Sequence, residues 1–157
     1  MTKHPVPTPK QVPPPFHRSR TGWLLAALLT AALAIRILYA MEVVQRPEYR
    51  QLTFDAFYHD YWAKAWVTGN WTPPDPQADP EIGSHPYFRP PGYPFFLAAV
   101  YAVSFCSTWA PMVAQMALGL FSVLLAFLLG RRWFSPSLGL LWAAGMVATW
   151  SFPYFEG

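Results

Sequence analysis

The sequence predicts an all-α, multi-pass transmembrane helical bundle of about four spans, with an outer loop that contains a juxtamembrane amphipathic helix. Three observations predict it. Apolar runs long enough to cross a bilayer recur along the chain, charged residues collect between those runs, and one stretch of the intervening loop repeats aromatic residues at helical spacing. With 54% hydrophobic and only 12% charged residues so unevenly spread, the 157 residues do not suit one soluble core.

Residues 1–21 are Pro-rich and basic, with Lys3, Lys10, Arg18 and Arg20 and no acid, which predicts an extended, disordered tail. The positive-inside tendency keeps this tail, and hence the amino terminus, in the cytoplasm of a cell whose inner membrane holds residues 22–157. The net charge of +3 comes largely from the tail and from Arg131-Arg132, so it bears on orientation. It does not indicate a nucleic-acid partner, and no aromatic-basic nucleic-acid module is visible.

The first apolar run, 23–41, has the ~20 residues a crossing needs. It is too long for a cleaved signal peptide and lacks the small-residue cleavage site, so a retained anchor is expected. Arg36 lies inside it, near the far end. A charge in hydrocarbon costs about 2.5 kcal/mol or more, so Arg36 is expected to snorkel outward to phosphate or to face a polar cavity.

The outer loop, 42–92, carries acids at Glu42, Glu48, Asp55, Asp60, Asp75, Asp79 and Glu81 against bases at Arg46, Arg50, Lys64 and Arg89. Within it Phe54, Phe57, Tyr58, Tyr61, Trp62, Ala65 and Trp66 fall on one helical stripe, with Thr53 suited to cap the start and Gly69-Asn70 to end it. Such a helix suits the boundary between lipid and water. Asp60 and Lys64, one turn apart, predict an ordinary exposed pair, whereas Asp55 has His59 one turn on. As a first-turn acid Asp55 also complements the helix dipole, which would be a purely structural role. Beyond the helix, 72–84 is rich in turn formers.

At Phe88-Arg89-Pro-Pro-Gly-Tyr-Pro the chain turns back toward lipid, and the paired prolines fix the approach to the next helix. A guanidinium held there suits a phosphate, which it can grip with two parallel hydrogen bonds, or lipid headgroups generally. Further apolar runs follow at 93–109, 112–129 and 138–154, the last opened by Ser135-Pro-Ser. Counting every run as a crossing puts Arg131-Arg132 outside, against the positive-inside tendency; the alternative is that 93–109 dips in and returns. A real crossing is the expectation, since an uncharged stretch of that length seldom stops midway. The lone Cys106 can form no intrachain disulfide and is expected to be a small buried thiol. The fourth run ends abruptly, which predicts the amino-terminal part of a longer polytopic protein.

No metal-ligand spacing is visible among His4, His17, His59 and His85, so no cofactor is predicted and a divalent metal is left open. Glycine-rich phosphate loops and nucleophile elbows are also missing. A carboxylate, Asp55, and a phosphate-suited cation, Arg89, on the outer face fit transfer of a group from a lipid-linked phosphate to an acceptor hydroxyl.

The order of a first span, then Phe54-Asp55-Ala-Phe-Tyr58-His59-Asp-Tyr-Trp-Ala63, Gly69-Asn-Trp and Tyr87-Phe-Arg89-Pro-Pro-Gly-Tyr-Pro-Phe-Phe-Leu-Ala, resembles the amino-terminal module of membrane glycosyltransferases with the GT-C fold. The likeness is strongest to the branch of protein O-mannosyltransferases and lipid A aminoarabinose transferases, and Leu128-Leu-Gly-Arg-Arg-Trp-Phe resembles the stretch after that family's third span. The resemblance implies an inverting glycosyltransferase with a polyprenyl-phosphate sugar as donor and a protein or glycolipid as acceptor. It implies Asp55 as general base and Arg89 at the donor phosphate, with Tyr58, His59 and Arg36 as further substrate-binding candidates. Ala56 departs from the Asp-Glu pair of many mannosyltransferases. A non-catalytic membrane scaffold or transporter fragment is the alternative; a flippase would want charges within its later spans, which carry almost none. A transferase requires Asp55 and Arg89 to face one shared cavity.

Overall fold

The computed structural model describes residues 20–50, 52, 54–73 and 90–149, apart from the side chains of Glu48, Arg50 and Phe54. The expected tail, the capping Thr53, the turn-rich 74–89 with Arg89, and the close of the fourth run at 150–157 lie outside the described residues. Among those described, all regular structure is helical: α1 (Arg20–Val43), α2 (Pro47–Arg50), α3 (Phe54–Thr68), α4 (Gly92–Ser104), α5 (Ala110–Trp133) and α6 (Pro136–Ala148).

Local chemistry sets most of the boundaries. Gly69 ends α3 in the left-handed region, at φ +73°, and donates its N–H to the Ala65 carbonyl at 2.8 Å. Pro111 sits in the first turn of α5, where a missing donor costs nothing. Ser135 caps α6 by accepting from the Leu138 N–H at 3.2 Å, with Pro136 at the first helical position. Between α4 and α5, Phe105 and Cys106 both take left-handed conformations, at φ 55° and 59°. Two such residues in succession are unfavourable without glycine, and they turn the chain sharply.

α1 and α5, 24 residues each, are long and apolar enough to cross a membrane. Both leave most of their apolar surface uncovered by protein. α4 and α6 are apolar but have 13 residues each, or about 20 Å of helix against ~30 Å of hydrocarbon. The expected span 93–109 is therefore helical only as far as Ser104, because the turn at Phe105 and Cys106 cuts it short. Cys106 itself is half-buried in that turn and packs near Leu97 and Tyr101.

The helices form two packed groups. In the first, α1, α5 and α6 enclose Leu25, Ala32, Val123, Phe127 and Ala143. α5 and α6 approach backbone to backbone through Gly130 and Gly139; a Cβ on Gly139 would stand 2.6 Å from the Phe127 carbonyl oxygen. In the second, α3 lies on α4, with Ala63, Leu97 and Tyr101 at the centre and Tyr58 and Trp62 beside them.

The contacts fix the direction of the long helices. Tyr49, just past α1, donates to the carbonyl of Thr108, just before α5, at 3.3 Å. At the other end Leu24, Ala27 and Leu28 of α1 share a groove with Ser137, Leu140 and Leu141 at the start of α6. α1 and α5 hence run antiparallel, and Arg131-Arg132 lie at the same end of the bundle as Arg20.

Candidate functional site

The loop helix α3 holds its aromatic stripe against protein rather than leaving it wholly outward. Tyr58 is 3% exposed and meets Trp62 edge-on at 5.2 Å, and Trp66 stacks on Phe95 of α4 at 4.1 Å with the rings 7° from parallel. His59 presents its ring edge-on to Tyr93 at 5.3 Å. Aromatic pairs at these distances add to the burial of the rings themselves.

Each residue singled out from the sequence has a distinct setting. Asp55 stands exposed in the first turn of α3. His59 is half-buried one turn further on, and Tyr58 belongs to the aromatic packing just described. Arg36 is 4% exposed, on the same face of α1 as Leu25 and Ala32, and one guanidinium nitrogen donates to the Ala32 carbonyl at 3.3 Å. It faces the bundle and does not snorkel to the surface, which corrects the first of the two expectations for it. Because Arg89 lies outside the described residues, the sharing of one cavity by Asp55 and Arg89 falls outside them too.

Asp60 differs most from its expected role. Its carboxylate is 15% exposed and accepts from Lys64 Nζ at 2.8 Å on one oxygen and from the Tyr101 hydroxyl at 2.6 Å on the other. The Lys64 ammonium also lies 5.6 Å from the centre of the Tyr101 ring. The expected exposed pair is thus a part-buried triad that pins α3 to α4. The physical reason is α4 itself, which covers this side of α3 and strips water from it.

Asp60 and Ala56 of α3, Tyr93, Leu97 and Tyr101 of α4, and Gln115 of α5 line a partly enclosed cavity of about 150 Å³, closed on a further side by Tyr49. Tyr93 and Tyr101 project from one face of α4, and Gln115 donates to the Tyr93 hydroxyl at 3.2 Å. Burial pushes the Tyr49 hydroxyl above its ordinary range, while its bond to Thr108 pulls the other way. Sequence reading passed over Tyr93, Tyr101 and Gln115. Their signal was available: two tyrosines eight residues apart, and the single amide side chain of α5, all in otherwise apolar runs.

Among the described residues, no group of three or more His, Cys, Asp or Glu side chains could hold a metal ion. Comparison of the chain with family models, with curated proteins and with solved structures finds no match.

Proposed function

We propose that this chain carries the donor-handling part of a membrane glycosyltransferase of the GT-C kind, in which Asp55 is the general base. In this reading Asp55 takes the proton of the acceptor hydroxyl, whose oxygen attacks the anomeric carbon of a polyprenyl-phosphate sugar. The bond to the lipid phosphate breaks on the opposite face, Arg89 meets the charge left on that phosphate, and the configuration inverts. The donor and a protein or glycolipid acceptor are the partners, and the bilayer is the setting.

One observation supports it above the rest: the contact of His59 with Tyr93. It joins the turn of α3 next to Asp55 to the first turn of α4, so these two turns, far apart in the chain, belong to one packed unit, and Arg89 precedes the second of them by four residues in sequence. The antiparallel course of α1 and α5 supports a membrane arrangement as well. α1 crosses outward, α3 and α4 stay at the outer face, α5 returns, and α6 begins on the cytoplasmic side. This arrangement has no full crossing at 93–109, and it puts Arg20 and Arg131-Arg132 together on the cytoplasmic face as the positive-inside tendency requires.

The test is transfer from polyprenyl-phosphate mannose, glucose or aminoarabinose in reconstituted membranes. The full-length protein that contains this chain transfers from one of these donors, and Asp55→Asn in it lowers the rate by about 10²-fold or more with donor binding retained. Equal turnover by Asp55→Asn removes it as base. Failure of the wild type with all three leaves a non-catalytic membrane scaffold.

A further inference from the structure

The groove between α1 and α6 joins an apolar trough to a basic end of the bundle. Leu24, Ala27 and Leu28 line it from α1, and Ser137, Leu141 and Ala144 from α6, around a volume of about 480 Å³. Arg20 begins α1 one turn before Leu24, which sets it on the helical face that forms the groove, at its mouth. Arg131 and Arg132 close α5 at the same end. The Arg131 backbone lies beside the start of α6, since a Cβ on Gly139 would stand 2.9 Å from the Arg131 nitrogen. All three arginines are exposed, and residues 1–41 and 110–149 contain no Asp or Glu. Two indoles accompany them: Trp23, one turn after Arg20, is 72% exposed, and Trp133, next to Arg132, is 65% exposed. Indole beside guanidinium at the end of an apolar helix is the composition found at the headgroup level of a bilayer.

Dimensions decide the kind of occupant. From Ser137 to Ala144 the groove follows α6 for about 10 Å, less than the ~15 Å of hydrocarbon in one leaflet. A partner helix or a second copy crossing the membrane would need a seat along the full ~30 Å. An acyl chain of a single leaflet does not. Lipid tails are as apolar as leucine, so the groove alone prefers no lipid over another. Charge supplies the preference. A guanidinium grips a phosphate with two parallel hydrogen bonds, and three arginines at one end favour a headgroup of net negative charge over one that carries its own cation.

We infer that this groove seats an acyl chain of an anionic glycerophospholipid whose phosphate meets Arg20, with Arg131 and Arg132 adding positive charge at the same headgroup level. The inference rests on the membrane setting proposed above and is independent of Asp55, which lies beyond the opposite end of α1.

The experiment is native mass spectrometry of the full-length protein that contains this chain, stripped of lipid in detergent and titrated with dioleoyl phosphatidylglycerol or dioleoyl phosphatidylcholine. The two lipids share their chains and differ in headgroup charge. Phosphatidylglycerol forms the tighter adduct, by about fivefold or more. Arg20→Gln weakens that adduct about fivefold, the worth of one arginine at an anionic membrane surface, and adding Arg132→Gln weakens it about 25-fold. Ala27→Phe, at an exposed position, fills the groove and weakens the adducts of both lipids about tenfold. Ala26→Phe, exposed but off the groove, leaves them in place. The inference is overturned if the two lipids bind alike, if Arg20→Gln keeps the full preference, or if Ala26→Phe and Ala27→Phe act equally. A dimer free of lipid also overturns it, because a second copy then holds the groove. No sugar donor is present, so failure here is distinct from failure of the transfer assay.

Discussion

At the scale of single residues, the contrast between Asp55 and Asp60 shows how far a carboxylate's role depends on partners remote in sequence. Both acids are legible as helix residues from spacing alone. That Asp60 would be held by Tyr101 was not, because the two are 41 positions apart and only the docking of α4 on α3 brings them together. Tyr101→Phe deletes a hydrogen bond to a charged group and is expected to cost about 1.5 kcal/mol, read as a lower unfolding temperature in detergent. Asp60→Asn with Lys64→Met removes both charges at once and should cost less than the sum of the two single changes. Strict additivity would mean the pair is not coupled. Arg36 makes the same point: its position near the end of an apolar run suggested a route to the surface, and the helical phase it shares with Leu25 and Ala32 turns it inward.

At the scale of elements, the boundaries that followed from local chemistry were readable. Gly69 ends α3, Ser135-Pro136 opens α6, and Pro111 opens α5, each for a reason contained in a few consecutive residues. The end of α4 was not readable, since Phe105 and Cys106 are poor choices for left-handed backbone and carry no local sign of it. The α5–α6 hairpin offers a direct test. Gly139→Ala drives a methyl group into backbone atoms of α5 and is expected to destabilise the fold by about 1–3 kcal/mol. Gly145→Ala, on the same helix with open space around it, should be neutral or stabilising by about 0.5–1 kcal/mol. If heat denaturation moves the two variants alike, close backbone approach does not hold this hairpin.

At the scale of the whole molecule, the question is which ends of the helices share a side of the membrane. Apolar length singles out α1 and α5 as long enough to cross a membrane, but it does not show that the helix in 93–109 ends at Ser104, where length alone cannot see a turn. The direction of α1 against α5 came from contacts such as Tyr49 with Thr108, 59 residues apart, which no window of sequence contains. The proposed arrangement makes a prediction from the single native thiol. In intact cells, Cys106→Ser with Ser107→Cys reacts with a membrane-impermeant maleimide, whereas Cys106→Ser with Arg132→Cys reacts only after permeabilisation. The reverse pattern would restore a full crossing at 93–109.

The stack of Trp66 on Phe95 has an optical consequence. Trp66 also lies 5.1 Å from Trp62, with the two indoles inclined by 26°, close enough for their electronic transitions to couple. Held in that attitude by Phe95, the two indoles should give a paired positive and negative band in circular dichroism. Phe95→Ala frees Trp66 to rotate and should flatten the pair, so the spectrum can report the seating of one helix on another without any label.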